Sequence, residues 1–398
     1  MAMSETNENS LKFEADVLDV YKTFDEMGLN DNILRGVYSY GFEKPSIIQQ
    51  MGIVPMMSGK DIIAQAQSGT GKTGTFTISI LHRIVFEELV PQAMIIVPTR
   101  ELAQQIKKVM TSIGEYSKIK VLALIGGTDI RSDIYALKDG VHVIVGTPGR
   151  IYDMINRGNL KLEQLKVLVL DEADQMLDRG FKDQIYEIFK TGIPKETQIA
   201  LFSATWTKDS EEISKKFMTA PVRIMLQKEN LTLEGIKQYK ILLKKEEFKF
   251  GVLLDLYQAL SLKQTIIYCN NKKKVEDLAL NLTEQKMSVT ILHGDMTQTE
   301  REKIMTDFHK GTARILITTD LLARGIDVQQ LSLVINYDIP NNRENYIHRI
   351  GRTGRFGRKG VALNFVTEKE ESLLKDIETF YSTVVHDLPD NLTGIFDV

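Results

Sequence analysis

The segment Ala66-Gln67-Ser68-Gly69-Thr70-Gly71-Lys72-Thr73 follows a short apolar run, Asp61-Ile62-Ile63-Ala64, and precedes a helical pattern. Glycines at such a turn let backbone N–H groups curl around phosphate oxygens, and the helix that follows adds its positive N-terminal end. Lys72 would reach the β- and γ-phosphates, and the Thr73 hydroxyl would ligate magnesium. The strict phosphate-loop pattern has glycine where this chain has Ala66. A glycine-rich turn without a ligand is the plain alternative, and Gly-x-Gly-Lys-Thr between strand and helix argues against it. The expectation is bound ATP or GTP.

A second constellation is Leu168-Val169-Leu170-Asp171-Glu172-Ala173-Asp174. An apolar strand delivers a carboxylate at its C-terminal end, where open α/β sheets bind ligands. Asp171 would hold magnesium, and Glu172 would orient and deprotonate an attacking water. The third lies far along the chain. From Arg343 to Lys359 stand Arg343, Arg349, Arg352, Arg355, Arg358 and Lys359, against Glu344 alone. Guanidinium forks match phosphate geometry and can stabilise charge developing on a γ-phosphate. Glycines interleave with arginines in His348-Arg349-Ile350-Gly351-Arg352-Thr353-Gly354-Arg355, which predicts a loop entering a cleft and not a helix face. Phosphate loop and carboxylates occupy one half of the chain and arginines the other, so hydrolysis needs a cleft to close.

The elements that must position these groups are legible as short β-branched runs alternating with helical patterns. In the first half the runs are Asp61–Ala64, Ala93–Val97, Lys120–Ile125, Val141–Val145, Val167–Leu170 and Ile199–Phe202. Between them Leu102, Ile106, Val109 and Ile113 make one helical stripe. The pattern restarts at Gln264–Tyr268, Ser288–Leu292, Ala313–Thr318, Leu331–Asn336 and Gly360–Val366. Continuous apolar strands between amphipathic helices imply parallel sheets covered on both faces. The expected organisation is a mobile tail at 1–20, an ATP-binding domain at 21–226, a linker at 227–236 and a second α/β domain at 237–398.

Composition narrows the field. Hydrophobic residues are 43% and charged residues 26% of 398, ordinary globular values that exclude a disordered chain. A net charge of −3 excludes a histone-like bulk-charge binder while allowing a local basic groove. Cys269 is the sole cysteine, so neither an intrachain disulfide nor a cysteine zinc site exists, and it reads as a small buried residue. No run reaches the roughly 20 apolar residues that span a bilayer, and the acidic start is no secretory signal, so cytosol or nucleus is expected.

In order along the chain, the motifs resemble those of the DEAD-box RNA helicases, from about Thr23 to Tyr381. They are Gly41–Gln49, Ala66–Thr73, Pro98-Thr99-Arg100-Glu101-Leu102, Gly126-Gly127, Thr147-Pro148-Gly149-Arg150, Asp171–Asp174 and Ser203-Ala204-Thr205. His293-Gly294-Asp295, Thr319–Asp327 and His348–Arg355 continue the series. The family carries alanine at the position of Ala66. The resemblance implies two tandem RecA-like parallel-sheet domains joined by a short linker, with ATP as fuel and Mg2+ as its metal. Gln49 would read adenine, because a carboxamide can pair with N6 and N7. Phe42 matches the ring stacked on the base, with Phe24 as support, Lys44 a nearby contact and Asp327 the ribose contact. Arg352 and Arg355 match the γ-phosphate fingers. Ser203 and Thr205 match the segment coupling nucleotide state to RNA, and His348 joins that network.

By the same resemblance, single-stranded RNA lies across both domains. The matching residues are Pro98, Thr99, Arg100, Gly127, Thr147, Gly149 and Arg150 in the first, and Asn270, Gly294, Thr318, Thr319 and Arg324 in the second. Most offer small side chains or loop backbone, suited to sugar–phosphate and 2′-hydroxyl contacts, which implies little sequence preference. Within the family the chain is most similar to the translation initiation factor 4A branch, with the exon-junction paralogue a close sister. The expected activity is ATP-dependent closure on RNA with local unwinding, as a cytoplasmic monomer working with an initiation scaffold. The alternative is a slow ATP-gated clamp in another RNA complex. Asn271-Lys272-Lys273-Lys274 replaces an Asn-Thr-Arg-Arg type run, which implies weaker bidentate phosphate contact there. Trp206, where the family usually has Met, reads as a packed residue at an element end.

Overall fold

The computed structural model describes residues 14–15, 19–66, 69–178, 180–225, 236–259, 264–320, 331, 333–353, 360–389, 391–392 and 395. The first sheet holds β1 (Glu14–Ala15), β2 (Ile62–Gln65), β3 (Ala93–Ile96), β4 (Val121–Leu124), β5 (Val143–Gly146), β6 (Val167–Asp171), β7 (Gln198–Ser203) and β8 (Val222–Met225). Their order is β1-β8-β2-β7-β6-β3-β5-β4. All neighbours are parallel except β1, which pairs antiparallel with Ile224–Met225 of β8. The second sheet holds β9 (Ile236–Leu243), β10 (Thr265–Tyr268), β11 (Val289–Leu292), β12 (Ile315–Thr318), β13 (Leu333–Asn336), β14 (Gly360–Thr367) and β15 (His386–Asp387). It is parallel throughout, in the order β11-β12-β10-β13-β14-β9-β15.

Every residue of β3, β5, β6 and β7 is buried, which is why these strands read as unbroken apolar runs. Side chains alternate between two cores. Ile95, Val143, Val145, Val167 and Val169 pack under the helices Ile47–Met57, Lys72–Arg83 and Arg100–Ile113. Met94, Ile96, Ile144, Leu168, Leu170 and Leu201 face the helices Pro148–Asn156, Lys182–Lys190 and Lys208–Phe217. The second domain repeats the plan, with Ile267, Ile317 and Ile335 on one face and Ile266, Leu316 and Val334 on the other.

Four strands beyond those expected complete the sheets. β1 falls within the expected tail, where Glu14 and Ala15 add an antiparallel edge to β8, so that part of the tail is ordered on the sheet. β8 alternates buried and half-buried residues between β1 and β2, and β15 has only two residues. β9 begins at Ile236, the last position assigned to the linker, and the remainder of that linker lies outside the described residues. The basic segment departs from expectation more sharply. Arg343–Ile350 is a helix, capped by the Asn342 side chain accepting from the Asn345 N–H, and its last six residues are buried. Inside it, the fully buried Arg349 donates to Asp320 at 2.5 Å, Asn270 Oδ1 at 2.8 Å and the Asp338 carbonyl at 2.7 Å. A guanidinium whose donors are met that way braces the domain, so Arg349 is no part of an exposed basic patch. Cys269 is wholly buried, and burial pushes its thiol well above the usual range. Trp206 packs half-buried on the second core, its Nε1 donating to Glu211 at 2.8 Å.

Candidate active site and nucleic-acid face

The strand orders sort the candidate residues into two groups before any side chain is considered. The phosphate loop, Asp171–Glu172 and Ser203–Thr205 follow β2, β6 and β7, adjacent strands in one half of the first sheet. Pro98–Arg100, Gly127 and Thr147–Arg150 follow β3, β4 and β5, the other half. In the second sheet Asn270, Gly294 and Thr318–Thr319 lie at the ends of β10, β11 and β12, whereas His348 and Arg352 follow β13. Except for His348 and Arg352, which lie on and just after the Arg343–Ile350 helix, they stand at C-terminal strand ends, where parallel sheets bind ligands.

The nucleotide half is built around two glycines. Gly71, at φ 104°, caps the helix Lys72–Arg83. A Cβ there would stand 2.6 Å from Ser46 Oγ and 2.8 Å from Gln49 Nε2, and a Cβ on Gly74 would stand 2.5 Å from Gln49 Nε2. Glycine at both positions lets the Phe42–Gln49 segment close onto the loop. Gln49 is buried, its Oε1 accepting from the Ser46 N–H at 2.8 Å and its Nε2 donating to the Gly71 carbonyl at 3.3 Å. Each end keeps one further valence for a ligand. Phe42 stacks on the fully buried Phe24 with centroids 6.3 Å apart, and Lys44 is exposed beside it. The Ala66 N–H donates to the Ser203 carbonyl at 3.0 Å, tying the loop to β7. Gly69 is exposed, Thr70 and Thr73 are half-buried, and Gln67 and Ser68 lie outside the described residues.

Lys72 is buried and its Nζ has no hydrogen-bond partner among the described residues. Its ion pair with Glu172 is long, 3.8 Å. A buried ammonium so thinly paired is costly, and anionic phosphate oxygens are the partners that suit it. Asp171 and Glu172 are buried alongside. Burial first, then the Glu172 charge, raises the Asp171 carboxyl to about 7, with Lys72 pulling the other way. A divalent cation would reverse that penalty, so the donor set fits Mg2+ with ATP. Glu172 itself holds φ at 52°, a left-handed conformation strained for a side chain of its size.

Beyond Glu172 the site crosses to the second domain. Asp174 Oδ2 accepts from Thr205 Oγ1 at 2.6 Å and lies 3.4 Å from Nε2 of His348, buried on the Arg343–Ile350 helix. The Asp174 N–H donates to Ser203 Oγ at 3.4 Å. Buried Arg352 sits one turn on, Nε donating to the His348 carbonyl at 3.0 Å. Glu172, Asp174 and His348 bring ligand atoms within 4.8 Å of one another. This trio binds across the domain boundary, and an imidazole in it suits Mg2+ less than all-oxygen ligands do. Asp174 was visible in the acidic motif, and nothing in its spacing assigned it this bridge. Asp327 and Arg355 lie outside the described residues.

On the other face, Thr99 caps the helix Arg100–Ile113, its Oγ1 accepting from the Leu102 N–H, and Thr147 with Pro148 opens the helix Pro148–Asn156. Pro98 is buried, and Gly127, Gly149 and Gly294 are exposed. Arg100 lies along Gly126 and Gly127, where a Cβ on Gly127 would stand 2.6 Å from its Nη1. Arg150 is turned inward, ion-paired with Asp133 and donating to the Thr128 carbonyl at 3.0 Å, so it braces the Gly126–Thr128 loop. Thr318 Oγ1 donates to the Leu292 carbonyl at 2.8 Å, and Asn270 Nδ2 to the Ile339 carbonyl at 2.8 Å. Thr319 is half-buried, and Arg324 lies outside the described residues. Lys272 pairs with Asp295, and Lys274 with Asp338 and Glu246 at 2.7 Å, so this basic run is bound within its own domain.

The chain matches a DEAD/DEAH box helicase family model over residues 46–213 and a helicase conserved C-terminal domain model over residues 248–357. It is 55% identical to eukaryotic initiation factor 4A of Caenorhabditis elegans over 376 residues, covering 94% of this chain and 93% of that one. Against eukaryotic initiation factor 4A-1 of Arabidopsis thaliana the identity is 53%, covering 99% and 95%. Against the ATP-dependent RNA helicase eIF4A of Mycosarcoma maydis it is 56%, covering 94% and 91%. Among solved structures, Saccharomyces cerevisiae Dbp5 bound to RNA and ADP BeF3 superposes with a TM-score of 0.87 at 38% identity, covering 93% and 96%. Mss116p bound to ssRNA and AMP-PNP gives 0.83 at 27%, covering 92% and 78%. Among the described residues, no helix is long and apolar enough to cross a membrane.

Proposed function

The chain belongs to the DEAD-box helicase family and is an ATP-dependent RNA helicase most like initiation factor 4A, and from that premise we propose that it closes its two domains on single-stranded RNA to unwind short duplexes in translation initiation. The observation that carries this reading is the Asp174–His348 contact at 3.4 Å. It joins the helix Ala173–Asp178, which follows the carboxylate strand of one domain, to the Arg343–Ile350 helix that leads into Arg352 in the other, so the hydrolytic site is complete only when the domains meet.

In that site the loop Ala66–Thr73 cradles the phosphates, Lys72 neutralises the β- and γ-oxygens, and Gln49 and Phe42 hold the base. Lys44 and Asp327 add contacts to the nucleotide. Thr73 and Asp171 would hold Mg2+, and when bound it would supply charge neutralisation on the phosphates. Glu172 orients the attacking water and takes its proton. Arg352 and Arg355 stabilise the charge that develops on the γ-phosphate. Ser203, Thr205 and His348 report nucleotide state to the RNA face through Asp174. On that face Pro98, Thr99, Arg100, Gly127, Thr147, Gly149, Gly294, Thr319 and Arg324 contact the sugar–phosphate backbone, and Asn270, Thr318 and Arg150 shape the loops that do so. The protein acts as a monomer in the cytoplasm and depends on a scaffold protein to present its RNA.

The deciding experiment is steady-state ATP hydrolysis with single-stranded RNA, a matched DNA oligonucleotide, or neither. Stimulation by RNA and not DNA supports a remodelling enzyme. RNA binding that depends on ATP but brings no multiple turnover makes the protein a clamp, and equal stimulation by DNA overturns the RNA reading.

A further inference from the structure

The helix Arg343–Ile350, which bears His348 and leads into Arg352, rests on the second sheet through a chain of buried polar side chains that the hydrolytic steps do not use. Asn336 ends β13 and stands directly opposite Asn364 of β14. Both amides are fully buried, in strands that are buried along their whole length. An amide in such a place is costly unless its hydrogen bonds are met. Here they are met in sequence. Arg349 Nη1 donates to Asn336 Oδ1 at 3.3 Å, and Asn336 Nδ2 donates to Asn364 Oδ1 at 2.8 Å. Asn364 Nδ2 donates to the Tyr346 hydroxyl at 3.2 Å and to the Tyr239 carbonyl at 2.9 Å. The Tyr346 hydroxyl donates to Gln238 Oε1 at 2.8 Å, and Gln238 Nε2 donates to Thr383 Oγ1 at 2.9 Å. Tyr346 is fully buried, and burial pushes its phenol above the usual range, so the hydroxyl keeps its proton as a donor. The chain leaves the helix at Arg349, crosses β13 and β14, and returns to the same helix at Tyr346.

We infer that Tyr346 is a positioning residue for ATP hydrolysis. Held by Gln238 and Asn364, its hydroxyl sets the rotation of the Arg343–Ile350 helix about its own axis, and so the direction in which His348 and Arg352 enter the site. The inference rests on the reading of His348 and Arg352 as groups that complete that site. Each helical residue turns by about 100°, so Tyr346 and His348, two apart, leave on nearly opposite sides. One is gripped by β9 and β14 of its own sheet, and the other reaches to within 3.4 Å of Asp174 across the domain boundary. Ile347 and Ile350 press the helix onto an apolar cluster with Ala362 and Val366, but apolar burial is non-directional and resists lifting more than turning. Hydrogen bonds are directional, and Tyr346 and Arg349 fasten one side of the helix at two points. Side-chain tips lie roughly 6 Å from a helix axis, so a turn of roughly 10° moves them by about 1 Å. A misplacement of that size can cost about 100-fold in rate. The donors run one way from Arg349 to Thr383, an arrangement in which each hydrogen bond polarises the next.

The test uses the full chain with Tyr346→Phe, alone and combined with Gln238→Met. The readings are kcat and the ATP KM at saturating RNA, the RNA concentration for half-maximal stimulation, and the melting temperature. Tyr346→Phe keeps the ring and removes the hydroxyl, leaving Gln238 Oε1 without that donor. Its kcat should fall by about tenfold, while the ATP KM and the half-maximal RNA concentration stay within about twofold of wild type. Melting should fall by about 2–6 °C, the cost of a stranded buried acceptor. The added Gln238→Met removes that acceptor with little change of shape, so melting should recover to within about 2 °C of wild type while kcat stays low. A wild-type kcat in Tyr346→Phe overturns the inference. So does a kcat that recovers together with melting in the double variant, because Tyr346 would then serve stability alone. Arg352→Lys run in parallel separates the two levels. If it loses turnover while Tyr346→Phe does not, the positioning role is wrong and the finger reading stands; if it turns over like wild type, the finger reading fails and takes the inference with it.

Discussion

Glu172 keeps its backbone at φ 52° and its carboxylate 3.8 Å from Lys72, a strained and buried placement of the kind that supports the proposed role at the reacting phosphate. Replacing it by Gln preserves shape and the polar contacts of a binding pocket while removing the base. Glu172→Gln should therefore keep ATP and RNA binding and lower turnover by about 10²-fold or more, measured by single-turnover hydrolysis and by RNA retention with ATP. Normal turnover in that variant would remove Glu172 from the mechanism. Asp171 makes a second prediction, through pH. Its carboxyl is raised to about 7 in the folded protein, so the fold binds that proton more tightly than the unfolded chain does. The stabilisation is complete below the ordinary carboxylate range and is lost as pH climbs through about 7. Without nucleotide or Mg2+, Asp171→Asn should melt roughly 3 °C above wild type at pH 8, with the gap shrinking towards pH 5. A gap that grows on acidification would show that Asp171 is not the strained carboxylate.

At the scale of elements, close approach decides which substitutions the fold tolerates. Gly36 lies in the helix Asp31–Ser39, and a Cβ there would stand 1.8 Å from the backbone oxygen of Ile113, at the end of the helix that Arg100 begins. A backbone atom cannot swing aside as a side chain can. Gly36→Ala should destabilise the first domain by about 1–3 kcal/mol by denaturant unfolding while leaving the second domain's transition in place. The same scale explains what the sequence disclosed. Central strands such as β3 and β6 are buried on both faces and appear as unbroken apolar runs, so they were legible. β9 reads Ile-Lys-Gln-Tyr-Lys-Ile-Leu-Leu, with Lys237 exposed and Lys240 half-buried, so it presents no unbroken apolar run that would mark it as a strand. Glycines at 351 and 354 pointed to a loop over His348–Arg355, but its first three residues close the Arg343–Ile350 helix, because the partners that bury Arg349 come from Asp320, Asn270 and Asp338, far away in sequence. The phosphate loop and Asp171–Glu172 were readable because their spacing is local. Asp174–His348 was not, since it forms only after two separate domains fold and meet.

For the whole molecule the question is whether either domain can hydrolyse ATP alone. Each has its own sheet with apolar cores on it, so each should fold when separated. The first carries Lys72, Asp171 and Glu172, enough to bind nucleotide and to position a water. What it lacks are Arg352 and Arg355, and the His348 that meets Asp174. Tethered, those groups arrive at high effective concentration; as a free fragment at micromolar concentration, the second domain must associate through a polar interface before it can help. Residues 1–228 should thus retain ATP binding by nucleotide titration yet show negligible RNA-stimulated ATPase, and adding residues 235–398 in trans should restore only a small part of it. RNA long enough to contact both fragments should increase that recovery, because the strand then serves as the tether. If residues 1–228 alone matched the intact chain, the arginines would have no part in hydrolysis, and domain closure would serve RNA capture only.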